Sequence, residues 1–473
     1  MAPVPPAIRE AFDPERFREA GHRLVDALAD QLTRWQRRDG VVVPWRDPAA
    51  ARAGWHDIGR GELVADLVRV TEASTAIANP RCMAHQVPPP LPGAVLAEAV
   101  SALLNNGMAV AEMGPAAVPI ELAVIDWMCR QLGLPAGAGG VMTSGGSLGN
   151  LTALLAMRQE HAGFDVWNAG AHAGPQLAVI VSSDAHYSIG RTVRIMGWGA
   201  GGAIAAPVDA RHRLTAPAVE AALAGERDRK VIGIVAAAGS TATGAFDPLD
   251  ELADVAARHG LWLHVDAAHG GGVAVSPSQR GKLRGIERAD SIVWDAHKLL
   301  MMPALVTGVL FQRESNAYEA FAQQASYLFA ATTPEETWWD LGQRTLECTK
   351  RMMAVELWSA LRVHGEAVFA AIVDRQHALA GEFATKLLAA RDFELALAPE
   401  SNIICYRHVP DGVADLDAHN RALRQRVVAD GRFYIVGTQL PRGYYLRSTI
   451  MNPLTEPGDF DDLLAHLRAL CPR

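Results

Sequence analysis

The chain has 473 residues, more than one ordinary hydrophobic core accommodates, so two or three domains are expected. Hydrophobic residues make up 49% and charged residues 20%, the balance of a compact globule, and a net charge of -8 provides no overall basic field for nucleic acid. Five cysteines, Cys82, Cys129, Cys348, Cys405 and Cys471, are scattered and contain no CxxC pair, so neither a disulfide framework nor a zinc knuckle is implied.

Met1 to Glu10 lack the basic start and apolar stretch of a signal peptide, and no uninterrupted apolar run approaches about 18 residues. A cytoplasmic chain with no membrane partner is therefore expected. From about Asp13 to Arg38, Phe17, Leu24, Leu28, Leu32 and Trp35 recur at helical spacing among charges, which predicts an amphipathic helix whose stripe needs a cover. A partner subunit or the chain's own large domain can supply it.

Pro88 to Pro92 breaks this pattern, and beyond it strand-like apolar runs alternate with helical ones to about residue 365. The predicted strands are Leu177 to Ser182, Val231 to Ala237, Leu261 to Asp266, Ser291 to Asp295 and Leu305 to Phe311. Such alternation predicts an α/β domain: a mainly parallel sheet with helices on both faces and ligands at the carboxyl ends of the strands. A helix from about Glu366 to Arg391 then leads to strands near Asn402 to Arg407, Arg432 to Val436 and Tyr444 to Thr449. These interleave with helices near Leu416 to Ala429 and Asp459 to Leu470, the pattern of a small α+β domain. The expected divisions are 1–84, an N-terminal helical segment, 85–365, a large domain, and 366–473.

The chemistry is densest in two strand ends. Leu263-His264-Val265-Asp266-Ala267-Ala268-His269 ends one strand in a carboxylate, and Trp294-Asp295-Ala296-His297-Lys298 ends another in a lysine next to a histidine. Pyridoxal phosphate needs that pair: an amine for a Schiff base with its aldehyde, and a carboxylate to keep its pyridine nitrogen protonated. His264, Asp266 and His269 can instead be read as metal ligands, but that spacing is common by chance. Lys298 lies between Ser291-Ile292-Val293-Trp294 and Leu299-Leu300-Met301-Met302, and a lysine in such apolar company must be paired, neutral or covalently used.

Thr143 to Asn150, with Gly145, Gly146, Ser147 and Gly149, precedes a helical run from Leu151 to Arg158, and suits a phosphate at a helix start. Ser147 as a simple helix cap explains the same residues. His186 follows the strand ending at Ser182 and can stack on a planar ring, or be an ordinary satisfied polar group. The hydroxyls of Gly239 to Gly244 can bond ring substituents or cap a turn.

In their order along the chain, these motifs resemble the group II pyridoxal phosphate-dependent decarboxylases, which include aromatic amino acid, glutamate, histidine and diaminobutyrate decarboxylases. The resemblance runs from about Asn79 to Arg447. It implies an aspartate aminotransferase-like fold of type I, an obligate homodimer with its active site at the subunit interface, and an N-terminal helix packed across that interface. It makes Lys298 the covalent anchor of the cofactor, Asp266 the pyridinium partner and His186 the stacking imidazole. Gly146, Ser147 and His297 would hold the phosphate, while Thr241 and Ala268 would contact the ring.

The implied reaction is decarboxylation of an L-amino acid to an amine, with no metal. Gln324-Ala325-Ser326-Tyr327-Leu328 resembles the family's mobile loop, where a tyrosine returns a proton to Cα, so Tyr327 favours amine over aldehyde. Pro80 to Gln86 lines up with the side-chain pocket of relatives, and His85 and Gln86 stand where aromatic decarboxylases carry aromatic residues, favouring a polar or acidic substrate. Arg447 resembles a substrate carboxylate-binding arginine, although a structural salt bridge explains it equally well. Leu299 departs from the tryptophan many relatives have after the lysine. The competing readings are an aldehyde-forming decarboxylase-oxidase, a related carbon-carbon lyase, a non-catalytic scaffold, and a zinc or nucleotide-binding protein.

Overall fold

A computed structural model describes residues 3–321 and 338–471. The described residues gather into two compact units, one drawn from Gln86–Leu387 with Leu395–Cys405, the other from Met1–His85, Leu388–Glu394 and Tyr406–Arg473.

The first unit is built on a seven-stranded sheet. Its strands are β1 (Gly139–Thr143), β2 (Leu177–Ser182), β3 (Ala203–Ala206), β4 (Lys230–Ala237), β5 (Trp262–Asp266), β6 (Ser291–Asp295) and β7 (Thr307–Phe311), in the order β1-β7-β6-β5-β4-β2-β3. Neighbours from β3 through β2, β4 and β5 to β6 are parallel, whereas β7 runs antiparallel to both β6 and β1. The mainly parallel α/β sheet expected from the sequence is present, and the fold is that of type I.

Every residue of β1, β2, β6 and β7 is buried, as strands covered on both faces must be. Ile180, Val265 and Ile292 are inaccessible, and each such side chain contributes about 1.5–3 kcal/mol relative to exposure. The helix Gly146–His161 is itself hidden from Ala153 to Met157. Gly149 lets it close on the sheet, since a Cβ there would stand 3.1 Å from Val293 and 3.2 Å from Val309.

Register explains where the site forms. Asp266 is opposite Ala237 on one side and Val293 on the other, and Asp295 is opposite Thr307, which in turn is opposite Thr143. Because β1 runs parallel to β6 through the intervening β7, the carboxyl ends of β1, β4, β5 and β6 finish along one edge. The loops bearing Gly145, Gly239, Ala267 and His297 leave from that edge, as the topology of parallel sheets requires.

The second unit carries the N-terminal helix Pro14–Gln36, capped by the Asp13 carboxylate on the Glu15 amide, and none of its residues is buried. Arg38 forks onto Asp459 at 2.7 and 2.8 Å, Arg81 reaches Asp462 at 2.7 Å, and Thr455 and Asn452 donate to the carbonyls of Pro80 and Ala78. These bonds tie the N-terminal residues to the helix Pro457–Ala469 and the loop before it. The C-terminal strands β8 (Phe393–Leu395), β9 (Ile403–His408), β10 (Val436–Leu440) and β11 (Gly443–Thr449) form a four-stranded sheet of order β10-β11-β9-β8. No helix among the described residues is long and apolar enough to cross a membrane.

Several local expectations shift. The helix expected from Leu151 begins at Gly146, so Ser147 lies in its first turn and does not cap it. The strand expected at Arg432 to Val436 starts four residues later, at Val436, because Tyr434 makes an isolated bridge to Cys82 while Phe433 and Ile435 turn into the core. Strand β7 starts at Thr307, the Val306 peptide being engaged with Ala296 and His297. The long helix spans Ala354–Ala389, but Gly365 at φ 70 breaks it, so its second part starts where the sequence places it.

Candidate active site

One pocket at the carboxyl edge of the large sheet is lined by all eight residues expected to bind the cofactor: Gly146, Ser147, His186, Thr241, Asp266, Ala268, His297 and Lys298. They come from five separate loops, and register alone brings them together.

The Gly146 end of the pocket is a helix start. Gly145 takes φ +97, a conformation that favours glycine, and the helix has no side-chain cap, so its first amides are left to an anion. A Cβ on Gly146 would lie 3.2 Å from the Asp295 carboxylate and 3.4 Å from Ala268 Cβ, so this cradle is shaped by the missing side chain. Ser147 adds a hydroxyl and Lys298 an amine. This donor set suits a phosphate with an aldehyde-bearing ring beyond it, so pyridoxal phosphate fits the residues present.

Lys298 follows β6 through a tight turn and precedes four buried apolar residues, Leu299 to Met302. Its Nζ lies 3.0 Å from Asp295 Oδ2. Asp295, 2% exposed, also accepts from the Thr307 hydroxyl at 2.6 Å and stands 3.6 Å from His297 Nε2. The sequence reading did not single out Asp295. Its signal was present, since it ends an apolar strand just as Asp266 does.

Asp266, at the end of β5, accepts from the Ala268 amide at 3.2 Å and from Asn150 Nδ2 at 3.0 Å. Asn150, 1% exposed, was also missed; an amide side chain immediately before the helical run Leu151 to Met157 was the available sign. His186 caps its helix by accepting at Nδ1 from the Ser188 hydroxyl, 2.8 Å away, and amide. Burial, then Lys298, hold its imidazole below its ordinary pKa against the opposing pull of Asp266. Asp184, on the same loop, lines the pocket too and bonds His212 at 2.7 Å.

In the hydroxyl turn Ser240 and Thr243 bond each other at 2.9 Å, and Ser240 and Thr241 line the pocket. The residues weighed as metal ligands are otherwise engaged, His264 with Asn150 and Ser291, and His269 with Asn402. Among the described residues the one cluster with metal-ligand spacing is His408, His419 and Cys471 in the second unit. There a 3.0 Å hydrogen bond between the imidazoles, with Asp392 3.5 Å beyond His408, accounts for both histidines.

Of the residues expected to meet substrate, Gln86 is half-buried and does not line this pocket, while His85 and Arg447 belong to the other unit. His85 is exposed and bonds the Tyr434 hydroxyl at 3.0 Å, and Arg447 is buried on β11. Tyr327 lies outside the described residues.

A fold-type I sheet with a lysine, a carboxylate and an uncapped glycine-rich helix start at one edge fits a pyridoxal phosphate enzyme. Residues 77–409 match the pyridoxal-dependent decarboxylase conserved domain, and the chain belongs to that family. It is 32% identical over 395 residues to human cysteine sulfinic acid decarboxylase, covering 80% of this chain and 79% of the relative. It is 29% identical over 416 residues to the L-2,4-diaminobutyrate decarboxylase of Acinetobacter baumannii, 85% of this chain and 81% of the relative. The crystal structure of mouse CSAD superimposes with a TM-score of 0.89 at 27% identity, over 97% of this chain and 99% of that one. The protein is a pyridoxal phosphate-dependent carboxy-lyase that releases carbon dioxide from an amino acid.

Proposed function

We propose that this chain decarboxylates an L-amino acid with a short polar side chain, using Lys298 as the covalent anchor, Asp266 as the ring-nitrogen partner and His186 as the imidazole against the ring. The observation that carries the assignment is the convergence of these three on the Gly146–Ser147 helix start in one pocket. Gly146, Ser147 and His297 hold the phosphate, and Thr241 and Ala268 flank the ring. When bound, the cofactor supplies a conjugated cation that takes up the electron pair left as carbon dioxide departs.

The chain's own groups do the rest. Lys298 supplies the amine and, once displaced by substrate, a base within the pocket. Asp266 keeps a negative charge fixed opposite the ring nitrogen. Tyr327 delivers the proton to Cα that completes the amine, and Arg447 binds the substrate carboxylate. His85 and Gln86 present polar groups to the substrate side chain, as befits relatives named for cysteine sulfinic acid and 2,4-diaminobutyrate.

The enzyme works as a homodimer with its active site at the subunit interface, and the helix Pro14–Gln36 packs on the partner. Support comes from its uncovered face, where Phe17 is 67% and Val25 54% exposed. A cytoplasmic setting agrees with five cysteines that form no disulfide.

Borohydride reduction of the coenzyme-loaded protein followed by peptide mapping tests the core of this reading. A reduced pyridoxyl group on Lys298 is expected, and a coloured protein with that lysine unmodified would overturn it. Carbon dioxide release from the twenty common amino acids, cysteine sulfinate and 2,4-diaminobutyrate identifies the side-chain class. A preference for aromatic substrates would reject the polar assignment.

A further inference from the structure

Behind the pocket a buried polar chain runs through the large sheet, and its hydrogen bonds have one consistent direction. Trp262 Nε1, which can only donate, gives its proton to Ser291 Oγ at 2.8 Å. Ser291 Oγ is 2.9 Å from His264 Nδ1, and His264 Nε2 is 2.9 Å from Asn150 Oδ1. Asn150 Nδ2 then stands 3.0 Å from both Asp266 Oδ2 and Ser188 Oγ, and Ser188 Oγ is 2.8 Å from His186 Nδ1. Trp262, Ser291, His264, Asn150 and Ser188 are all at most 1% exposed.

The directions follow from the ends. Asp266 accepts, so the amide of Asn150 must face it with nitrogen; the reversed orientation would set a carbonyl against a carboxylate. Asn150 Oδ1 therefore accepts from His264 Nε2–H. Burial holds His264 neutral, pushed down to about 4, so Nδ1 accepts the Ser291 hydroxyl. At the other end the Ser188 amide, 3.4 Å from His186 Nδ1, can only donate, so that nitrogen carries no proton and His186 has its proton on Nε2. Both protons of the Asn150 amide are thereby used, one on Asp266 and one on Ser188.

We propose that Asn150 is a positioning residue that couples Asp266 to His186, fixing the direction of the carboxylate and the tautomer of the imidazole through one amide group. Resting on the cofactor-site assignment above, this adds that the groups at the ring nitrogen and on the ring face are set together. An isolated carboxylate can rotate, and an isolated imidazole can exchange tautomers; joined through Asn150 neither does so without leaving a buried partner unpaired.

The test compares Asn150→Leu and Asn150→Asp with Ser188→Ala, which removes only the arm to His186. Circular dichroism first establishes that each variant is folded. Pyridoxal phosphate is then titrated while its visible absorption is followed against pH. Losing the Asn150 donor is expected to raise the coenzyme dissociation constant about tenfold to a hundredfold and to shift the pH midpoint of the absorption change. Ser188→Ala is expected to leave that constant within about twofold while lowering kcat, because Asp266 keeps its donor. Folded Asn150 variants with wild-type coenzyme affinity and wild-type pH midpoint would overturn the proposal alone. Wild-type protein that binds no coenzyme would overturn the site assignment with it. Should both Asn150 variants unfold, Asn150→Ser, whose shorter hydroxyl fits the space, replaces them under the same criteria.

Discussion

Lys298 Nζ and Asp295 Oδ2 lie 3.0 Å apart across one turn, so the amine proposed to anchor the cofactor is paired with a carboxylate that stands against the helix start at Gly146. An anion there opposes a phosphate, and the ion pair with Lys298 and the hydroxyl of Thr307 offset that opposition. Replacing the charge at constant size should therefore tighten coenzyme binding. In Asp295→Asn the dissociation constant of pyridoxal phosphate, measured by fluorescence titration, is expected to fall about threefold to tenfold. A rise would show that the carboxylate's service to Lys298 outweighs its repulsion.

Asp266→Asn keeps the shape and the Asn150 neighbour but removes the negative charge proposed to support the ring nitrogen. Electrostatic support of this kind matters most as charge develops in the reaction. The expected result is a loss in kcat of about a hundredfold or more with KM little changed, read from initial rates of carbon dioxide release. A raised KM with kcat unchanged would place Asp266 in substrate binding instead.

Tyr327→Phe removes one hydroxyl from the residue assigned to return the proton. Cofactor absorption is expected to stay as in the wild type, whereas amine formation falls about tenfold or more, or gives way to aldehyde. Chromatography of products formed with and without oxygen decides it, and undiminished amine would remove the role from Tyr327.

Most strands of the large sheet were legible because they are continuous apolar runs ending in polar residues, and the pocket-lining residues His186, Thr241, Asp266, His297 and Lys298 because each ends or follows such a run. Strands β1 and β3 were missed since Gly139-Gly140 and the alanines of Ala203–Ala206 carry little strand signal of their own; neighbouring strands supply their stability. The helix start at Gly146 was placed five residues late because glycine, a poor helix former, occupies the first turn. Asn150 was not assignable from the chain alone, as its partners Asp266 and His264 lie on a strand more than a hundred residues away, whereas Asp295 meets Lys298 within one turn and only its Thr307 partner depends on strand pairing. The N-terminal residues were legible as a helix, but their bonds to Asp459 and Asp462 join residues some four hundred positions apart.

Acid should loosen the protein through its buried histidines. Burial lowers His264 and His377 to about 4, whereas in the unfolded chain each titrates near its ordinary value of about 6.5. Between those values the unfolded state binds more protons, so stability rises with pH across the interval, is fully present above about 6.5, and is lost as pH falls through about 4. The fully buried His264 imidazole contributes up to about 3 kcal/mol of that dependence, and the partly buried His377 less. His264 is the more consequential, since its protonation would force both ring nitrogens to donate and turn the Ser291 hydroxyl away from it. Thermal unfolding midpoints measured from pH 8 to pH 4.5 are expected to fall steeply in the wild type and less steeply in His264→Gln, even though that variant starts from a lower midpoint at pH 8. His377→Gln should reduce the slope without disturbing coenzyme absorption, because its ring bonds the Val373 carbonyl in its own helix and does not line the pocket. Parallel slopes for wild type and both variants would mean that acid acts through other groups.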